Sequence, residues 1–371
     1  MNLCETDVAA LLHSSSLGDD RFLAEQLITH QNLPAYLAAL LEGVGDATVD
    51  SVRLDKHRAV LNRYVSGSLK PSENAQLETI QRLGIGVIPF GDARYPALLC
   101  EIPDPPPVLY HRGAWQDLNT PQVAMVGARQ ASSQARKIAY ELGARLASMG
   151  LIITSGLALG VDSCAHEGAL SQGHTISVLA HGIDQIYPRR HQALAQQILE
   201  RGCLLSEQPL FTHPNKATFP KRNRLISGLS LGVIIVEAAQ LSGTLVTARH
   251  ALEQNRELWV LPWSVFHHQG RGGLELLSQG AQVCLGPEDV VRQLAFSPLL
   301  QGALRSEVKV SATETVEVET SALLSRFNDG VTTLDSLISN SRLSRQALQA
   351  ELVELELSGC IRKTPQGYIR V

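Results

Sequence analysis

The sequence predicts an α/β protein built on a doubly wound, mainly parallel sheet, with a small helical module before it and a winged helix after it. Three observations carry this. Between residues 123 and 262 short, wholly apolar runs alternate with helix-length segments, the pattern of strands covered by helices on both faces. The first 75 residues hold helix-forming runs broken by Gly and Ser. The last fifty show three short helical patterns and a terminal hairpin.

In chain order, Asp7–Leu12 and Pro34–Leu41 are apolar and rich in helix formers, which assigns residues 1–75 to a helical module. Leu41-Glu42-Gly43-Val44-Gly45 has the form of a helix-hairpin-helix turn and equally of a plain interhelical turn. The proline-rich stretch 102–107 is a connection leading into Val108-Leu109-Tyr110. Strands are expected over residues 123–127, 151–156, 175–179, 232–237 and 257–262. Helices are expected over 132–149, 162–172, 192–201 and 247–254. Residues 76–298 then form one Rossmann-like domain including its connecting region. Ser, Thr and Glu dominate residues 299–320, which read as a linker. Residues 321–327, 333–339 and 344–357 read as helices, and Gly359–Val371 as a hairpin turning at Pro365-Gln366-Gly367, which together make a winged helix.

Composition limits the function. A chain of 371 residues with 44% hydrophobic and 18% charged residues is ordinary for a soluble globular protein. No signal core or membrane-length apolar run occurs. The six cysteines form no C-x-x-C pair and read as reduced, mostly buried thiols, so the expected location is the cytoplasm. The formal charge of -4 argues against a surface that coats nucleic acid everywhere, so any binding must be focused.

One segment is focused in this way. Between Phe211 and Arg224 stand four cations, Lys216, Lys221, Arg222 and Arg224, and no acid. Phe219 lies among them, and rings interleaved with cations suit single-stranded nucleic acid, whose bases stack while cations track the phosphates. A solvated loop around a core Phe is the plain alternative. Other anion-binding candidates lie where strands end, because helix N-termini there offer free amides. Arg129 tips the loop after the first strand and Ser132 is an N-cap candidate. Arg189 and Arg190 follow Tyr187-Pro188, Asn223 separates two arginines, and Ser242-Gly243-Thr244 precedes a helix.

Catalytic signals are weak. No G-x-G-x-x-G fingerprint or Walker loop occurs, so no nucleotide cofactor is expected. Asp162 and His166 share a helix face as a possible proton relay, or as a cap and a buried His. His267-His268 lacks a third ligand at helical spacing, so no metal site is expected. Glu207 and Glu237 follow apolar strands as candidate general bases, or as partners of the arginine run.

The succession of motifs V-G-A-R-x-x-S at 126–132, S-G-L-A-L-G-V-D-x-x-A-H at 155–166, S-V-L at 177–179 with D-x-x-Y-P at 184–188, L-S-E at 205–207, F-P-K-R-N-R-L-I-S-G-L-S at 219–230 and V-E-A-x-x-x-S-G-T-L-V-T-A at 236–248 resembles the bacterial DNA-processing protein A family, also called Smf. The resemblance covers the whole α/β region in order. It implies a non-catalytic single-stranded DNA binder that protects incoming strands in natural transformation and loads the recombinase RecA onto them. It also implies a homodimer, an N-terminal sterile-alpha-motif-like or helix-hairpin-helix module and a C-terminal winged helix. By the same resemblance strand contacts fall on Arg129, Arg189, Lys216 and Phe219. Ala180-His181-Gly182 and Leu261-Pro262-Trp263 depart from the family pattern and concern local loop shape. Two other readings use the same residues: a phosphoribohydrolase-like enzyme with Glu237 as base, and a duplex-DNA regulator acting through the winged helix. Between residues 321 and 371 six cations face five acids, little electrostatic drive for the latter. The apolar stretch 274–277 and Val290-Val291 are the expected dimer surface.

Overall fold

The computed structural model describes residues 4–15, 20–42, 51–115 and 117–295, together with residues 352, 361–364 and 367–370. Residues 1–308 form one compact unit and 309–371 a second.

The first unit is organised around a nine-stranded sheet: β1 (Gly86–Pro89), β2 (Val108–Arg112), β3 (Gln122–Val126), β4 (Ile152–Ser155), β5 (Thr175–Leu179), β6 (Cys203–Ser206), β7 (Gly232–Ile235), β8 (Glu257–Val260) and β9 (Gln282–Val283). Their spatial order is β1-β2-β6-β5-β4-β3-β7-β8-β9. Pairing is parallel from β6 to β9 and antiparallel at β1-β2 and β2-β6. The parallel part of the sheet starts at β3, steps outward through β4, β5 and β6, then returns to the far side of β3 with β7. Crossovers on the two sides of β3 therefore leave by opposite faces, and a crevice opens between β3 and β7 at their carboxyl ends.

Alternation along the strands divides the core. Ala124, Val126, Val233 and Ile235 face one layer; Val123, Met125, Ile234 and Val236 face the other. The first layer is covered by α6 (Ala97–Cys100), α10 (Thr218–Gly228) and α11 (Thr244–Glu253). The second is covered by α7 (Ser133–Ser148), α8 (Val161–Gln172) and α13 (Pro287–Ala295). Helix α9 (Gln192–Arg201) continues that second face toward β5 and β6, and α12 (Arg271–Ser278) packs beside β8.

Five helices precede the sheet: α1 (Glu5–Ser15), α2 (Asp20–Thr29), α3 (Leu33–Glu42), α4 (Ser51–Ser66) and α5 (Pro71–Leu83). Helix α1 is buried along Val8–His13 and packs on β1 and β2 as well as on its sister helices. Val108 and Tyr110 point toward these helices while Leu109 points into the opposite layer, the period-2 alternation of a strand buried on both faces. Polar ties reinforce the joint: His13 Nδ1 lies 3.1 Å from the Tyr110 hydroxyl and Gln76 Nε2 donates to the Ala10 carbonyl at 3.0 Å.

Helix α5 runs across residue 75, started by Pro71 in its first turn and by Glu73 accepting from Lys70 N–H at 2.8 Å, and ended by left-handed Gly84. The long connection from β6 to β7 holds α10, where the sequence showed a cationic run with a solvated loop as its plain alternative. Strand β6 ends directly before Glu207, where an apolar strand was expected, whereas β1, β2 and β9, of at most five residues each, were not foreseen as strands. Of the C-terminal elements, β10 (Ile361–Thr364) and β11 (Gly367–Arg370) pair antiparallel as the expected hairpin. Apart from the helical, buried Leu352, the expected linker, the three winged-helix helices and the turn at 43–45 lie outside the described residues. Among the described residues, five cysteines are free thiols, of which Cys4 and Cys100 are exposed and only Cys203 and Cys284 buried, so burial is less general than expected.

Candidate nucleic-acid interface

A groove of about 710 Å³ follows the β3/β7 crevice. Its walls are the loop after β3, the loop after β7 and one face of α10. That face presents Phe219, Arg222, Asn223 and Ile226, all of which line the groove at the i, i+3, i+4, i+7 spacing of one helical side. Pro220 is tolerated in the first turn, where its missing N–H has no intrahelical partner to lose.

At the mouth, the Arg129 guanidinium lies over the Phe219 ring, 5.2 Å from its centroid. The Tyr187 ring lies beside Phe219, its centroid 6.0 Å away and its plane tilted by 51°. Arg129 and Lys216 are exposed, and Lys216 lines the same groove. Arg189 is exposed two residues past Tyr187 in a short 3-10 turn. The N-terminus of α11 opens here, bringing the positive end of its dipole. Ser242, Gly243 and Thr244 line this end, and the Ser242 hydroxyl is buried with no hydrogen-bond partner among the described residues. Asn223 Nδ2 reaches the Gly243 carbonyl at 3.4 Å and ties α10 to that loop.

The Arg129 loop is held rigidly from beneath. Ala128 N–H donates to the Glu237 carbonyl at 2.8 Å. The Glu237 carboxylate, 1% exposed, accepts from Ser132 N–H at 2.9 Å and Ser132 Oγ at 2.7 Å, and contacts His267 Nε2 at 2.7 Å. Ser132 Oγ in turn caps α7 by accepting from Ala135 N–H at 3.1 Å. Gly160, at φ +85°, packs its α-carbon against the same loop; an added Cβ would sit 2.3 Å from the Ala128 carbonyl oxygen.

These contacts correct several expectations. Ser132 spends both donors on Glu237, so its role is to brace the loop rather than to meet phosphate. Glu237 has both oxygens engaged and staples the loop to Ser132 and His267. His267 stacks on Trp263 at 4.5 Å and serves the same staple. Arg222 is 4% exposed: its Nη1 donates to the carbonyls of Gly156, at 2.9 Å, and Val178, which makes it the floor of the groove. Burial pulls the guanidinium down to about 10, against the attraction of Asp162 and with a further lowering from Arg129. Arg224 is buried on the other side of α10, paired with Glu207 and Asp104, and does not line this groove, so Glu207 is its structural partner. Lys221 is exposed but lines a different groove. The cause is common: in a helix, neighbours in sequence point in different directions, whereas a loop reading treats the whole run as one surface.

Asp162 and His166 do not form a relay. Asp162 Oδ2 accepts from Gly156 N–H at 3.1 Å and Ala158 N–H at 3.4 Å, and burial raises its carboxyl despite Arg222. His166 accepts from Leu157 N–H at 3.4 Å through Nε2, which leaves Nδ1–H to donate to Thr175 Oγ1 at 2.7 Å. Burial first, then the nearby His191 and Arg222, pulls this imidazole down to about 3. Both residues shape the 155–160 loop. Sequence reasoning missed Tyr187 as a ring beside Phe219; its position two residues before Arg189 was the available signal. It also missed Asp162 as the lone carboxylate among the described groove residues. Of the residues expected at a dimer surface, Val290 is buried and Leu276 and Leu277 pack against the core, while Val291 is exposed.

Among the described residues no His, Cys, Asp and Glu cluster fit for a metal is present, and no helix is long and apolar enough to cross a membrane.

Comparison with known proteins follows the same lines. Residues 308–367 match the DprA winged helix domain. Protein Smf of Escherichia coli K12 is 39% identical over 329 residues, 87% of this chain and 88% of that protein. DNA processing protein DprA of Bacillus subtilis is 39% identical over 248 residues, 66% of this chain and 84% of that protein. Among solved structures, DprA of Streptococcus pneumoniae superposes with a TM-score of 0.63 at 30% identity, covering 79% of this chain and 98% of that one. DNA processing protein A of Helicobacter pylori, solved for its single-stranded DNA binding mode, gives 0.52 at 34% identity over 57% of this chain and 95% of that one. With residues 86–295 matching the DNA recombination-mediator protein A model across the sheet and groove just described, the chain belongs to the DprA/Smf family of DNA-processing proteins.

Proposed function

We propose that the β3/β7 groove holds single-stranded DNA, and that the protein, a cytoplasmic and non-catalytic homodimer, protects incoming strands during natural transformation and loads RecA onto them. The observation that carries this reading is Arg129 poised over the Phe219 ring at 5.2 Å, with Lys216 lining the same groove. A base stacks on an aromatic face and a cation beside it meets the adjoining phosphate, an arrangement indifferent to base identity. Arg189, the α11 N-terminus and the unpartnered Ser242 hydroxyl add anion-seeking groups along the same edge. The Helicobacter pylori relative, whose single-stranded DNA binding mode is described, supports the ligand class.

Fluorescence anisotropy with oligothymidylate tests the site. Arg129→Ala and Lys216→Glu should each weaken binding with little dependence on sequence, and unchanged affinity in both would overturn it. Nucleation of RecA filaments on a protein-coated single strand, with and without the protein, tests the loading step.

A further inference from the structure

A second groove, of about 920 Å³, runs between the N-terminal helices and the loop after β6. Lys56, Lys70 and Lys221 line it and are all exposed. Arg63 also lines it, but its charge is spent on Glu73, at 2.5 and 3.1 Å. Glu73 is the single carboxylate among the described lining residues, and it also accepts from Lys70 N–H at 2.8 Å. With that pair neutralised, the exposed Lys56 and Lys70 add positive charge to the groove in a chain whose overall charge is negative.

Phe211 adds a second, independent observation. It lines this groove, is 49% exposed, and stands at φ +65°, a region that bulky side chains avoid. Its backbone is fixed there: Phe211 N–H donates to Asp184 Oδ1 at 2.9 Å, and the next residue's carbonyl accepts from Gly182 N–H at 2.9 Å and from Gln185 Nε2 at 2.8 Å. An exposed ring held in a disfavoured conformation at the edge of a lysine-lined groove has the parts of a stacking platform.

The two grooves share a ridge. Thr218 and Lys221 line the second, while Lys216, Phe219 and Asn223 line the first, so the N-terminal half of α10 divides them. A helix is about 10–12 Å across, and a single strand stacked at about 3.4 Å per nucleotide crosses it in about three nucleotides.

We infer that the Lys56–Lys70–Phe211 groove is a second binding site for single-stranded DNA, taking the continuation of a strand that enters the β3/β7 groove and passes over α10. This rests on the reading of the first groove as a strand site. Lysines there meet phosphates without regard to sequence, and Phe211 stacks one base.

The test uses the full-length protein with oligothymidylates of 6 and 25 nucleotides, over a range of salt concentrations. Lys56→Gln/Lys70→Gln and, separately, Phe211→Asn, which removes the ring but tolerates a left-handed backbone, are compared with the unaltered chain. Circular dichroism melting checks that each variant is folded. The expected result is unchanged affinity for the 6-mer and about tenfold weaker binding of the 25-mer. For the double variant, the slope of log K against log salt falls by about 1.4, the value for two single-strand phosphate contacts. Equal 25-mer affinity and slope in folded variants would overturn the inference. So would a loss confined to a 25-base-pair duplex, which would assign the groove to duplex DNA. If Arg129→Ala and Lys216→Glu leave both oligomers unaffected while Lys56→Gln/Lys70→Gln weakens the 25-mer, the first-groove reading fails and the second site stands alone.

Discussion

At the residue scale the cations of this groove divide by what they touch. Arg129 is exposed and leans on Phe219, so Arg129→Ala should weaken strand binding while leaving the melting temperature within a degree or two. Arg222 is buried under the same groove and satisfies the Gly156 and Val178 carbonyls beside Asp162. Arg222→Ala would leave those acceptors and a carboxylate buried without a cation, at a cost of about 3–5 kcal/mol. Comparing the two variants by calorimetry and by anisotropy separates the roles; a stable Arg222→Ala protein would refute the floor assignment. Phe219→Ala should cost about 1–3 kcal/mol of binding if the ring stacks a base, and a parallel fall in stability would mark it as core instead. His166 has a pH signature. Its folded value of about 3 lies below the ordinary 6.5, so the unfolded chain binds the extra proton between those limits. Stability is full above about pH 6.5 and falls as the pH drops toward 3, by about 2 kcal/mol at pH 5. His57, lowered by burial to about 4, acts in the same direction. Denaturant titrations between pH 7 and pH 4.5 should show a shallower acid loss in His166→Gln than in the unaltered chain.

At the element scale the loop after β3 is shaped by residues that never meet a ligand. Gly160 sits at φ +85° with its α-carbon against the Ala128 and Arg129 carbonyls. Gly160→Ala therefore strains the backbone and pushes the Arg129 loop away, at about 2–4 kcal/mol for the two effects together. The expected outcome is lower stability together with weaker strand binding, read on the same sample by thermal melting and anisotropy. A variant that binds normally would show that the loop does not depend on this contact. The same scale explains what was legible in the sequence. Strands β3, β4, β5, β7 and β8 announced themselves because both of their faces are buried, and a continuous apolar run leaves a local trace. Arg129 was legible because it follows such a strand directly. Helix α10 was not, since three cations and a proline obscure a stripe whose groove side is Phe219, Arg222, Asn223 and Ile226. Without the helix, Arg222 and Arg224 looked like Lys216. Glu237 was mistaken for a candidate base because its partners, Ser132 and His267, lie 105 and 30 residues away.

At the scale of the molecule, the N-terminal helices complete the core of the sheet domain. Leu11, Leu12, Tyr36 and Leu61 belong to the same buried cluster as Val108, Tyr110, Leu179 and Leu204. A fragment of residues 80–300 would lose α1–α4 and most of α5, and would expose that part of the sheet face to water. Burial of large apolar side chains stabilises by about 1.5–3 kcal/mol each, so removing several together exceeds the few kcal/mol of net stability typical of a domain. Residues 1–308, by contrast, keep every element of that cluster and the strand groove, and end where the second compact unit begins. Truncation after residue 308 should therefore give a protein that melts cooperatively and binds a 6-mer within about threefold of full length, since its phosphate contacts are all retained. The 80–300 fragment should aggregate or bind a hydrophobic dye. Size-exclusion chromatography with light scattering on both fragments decides the point: a soluble, cooperatively melting 80–300 fragment would show that the sheet domain is complete without its N-terminal helices, and the shared-core account would fail.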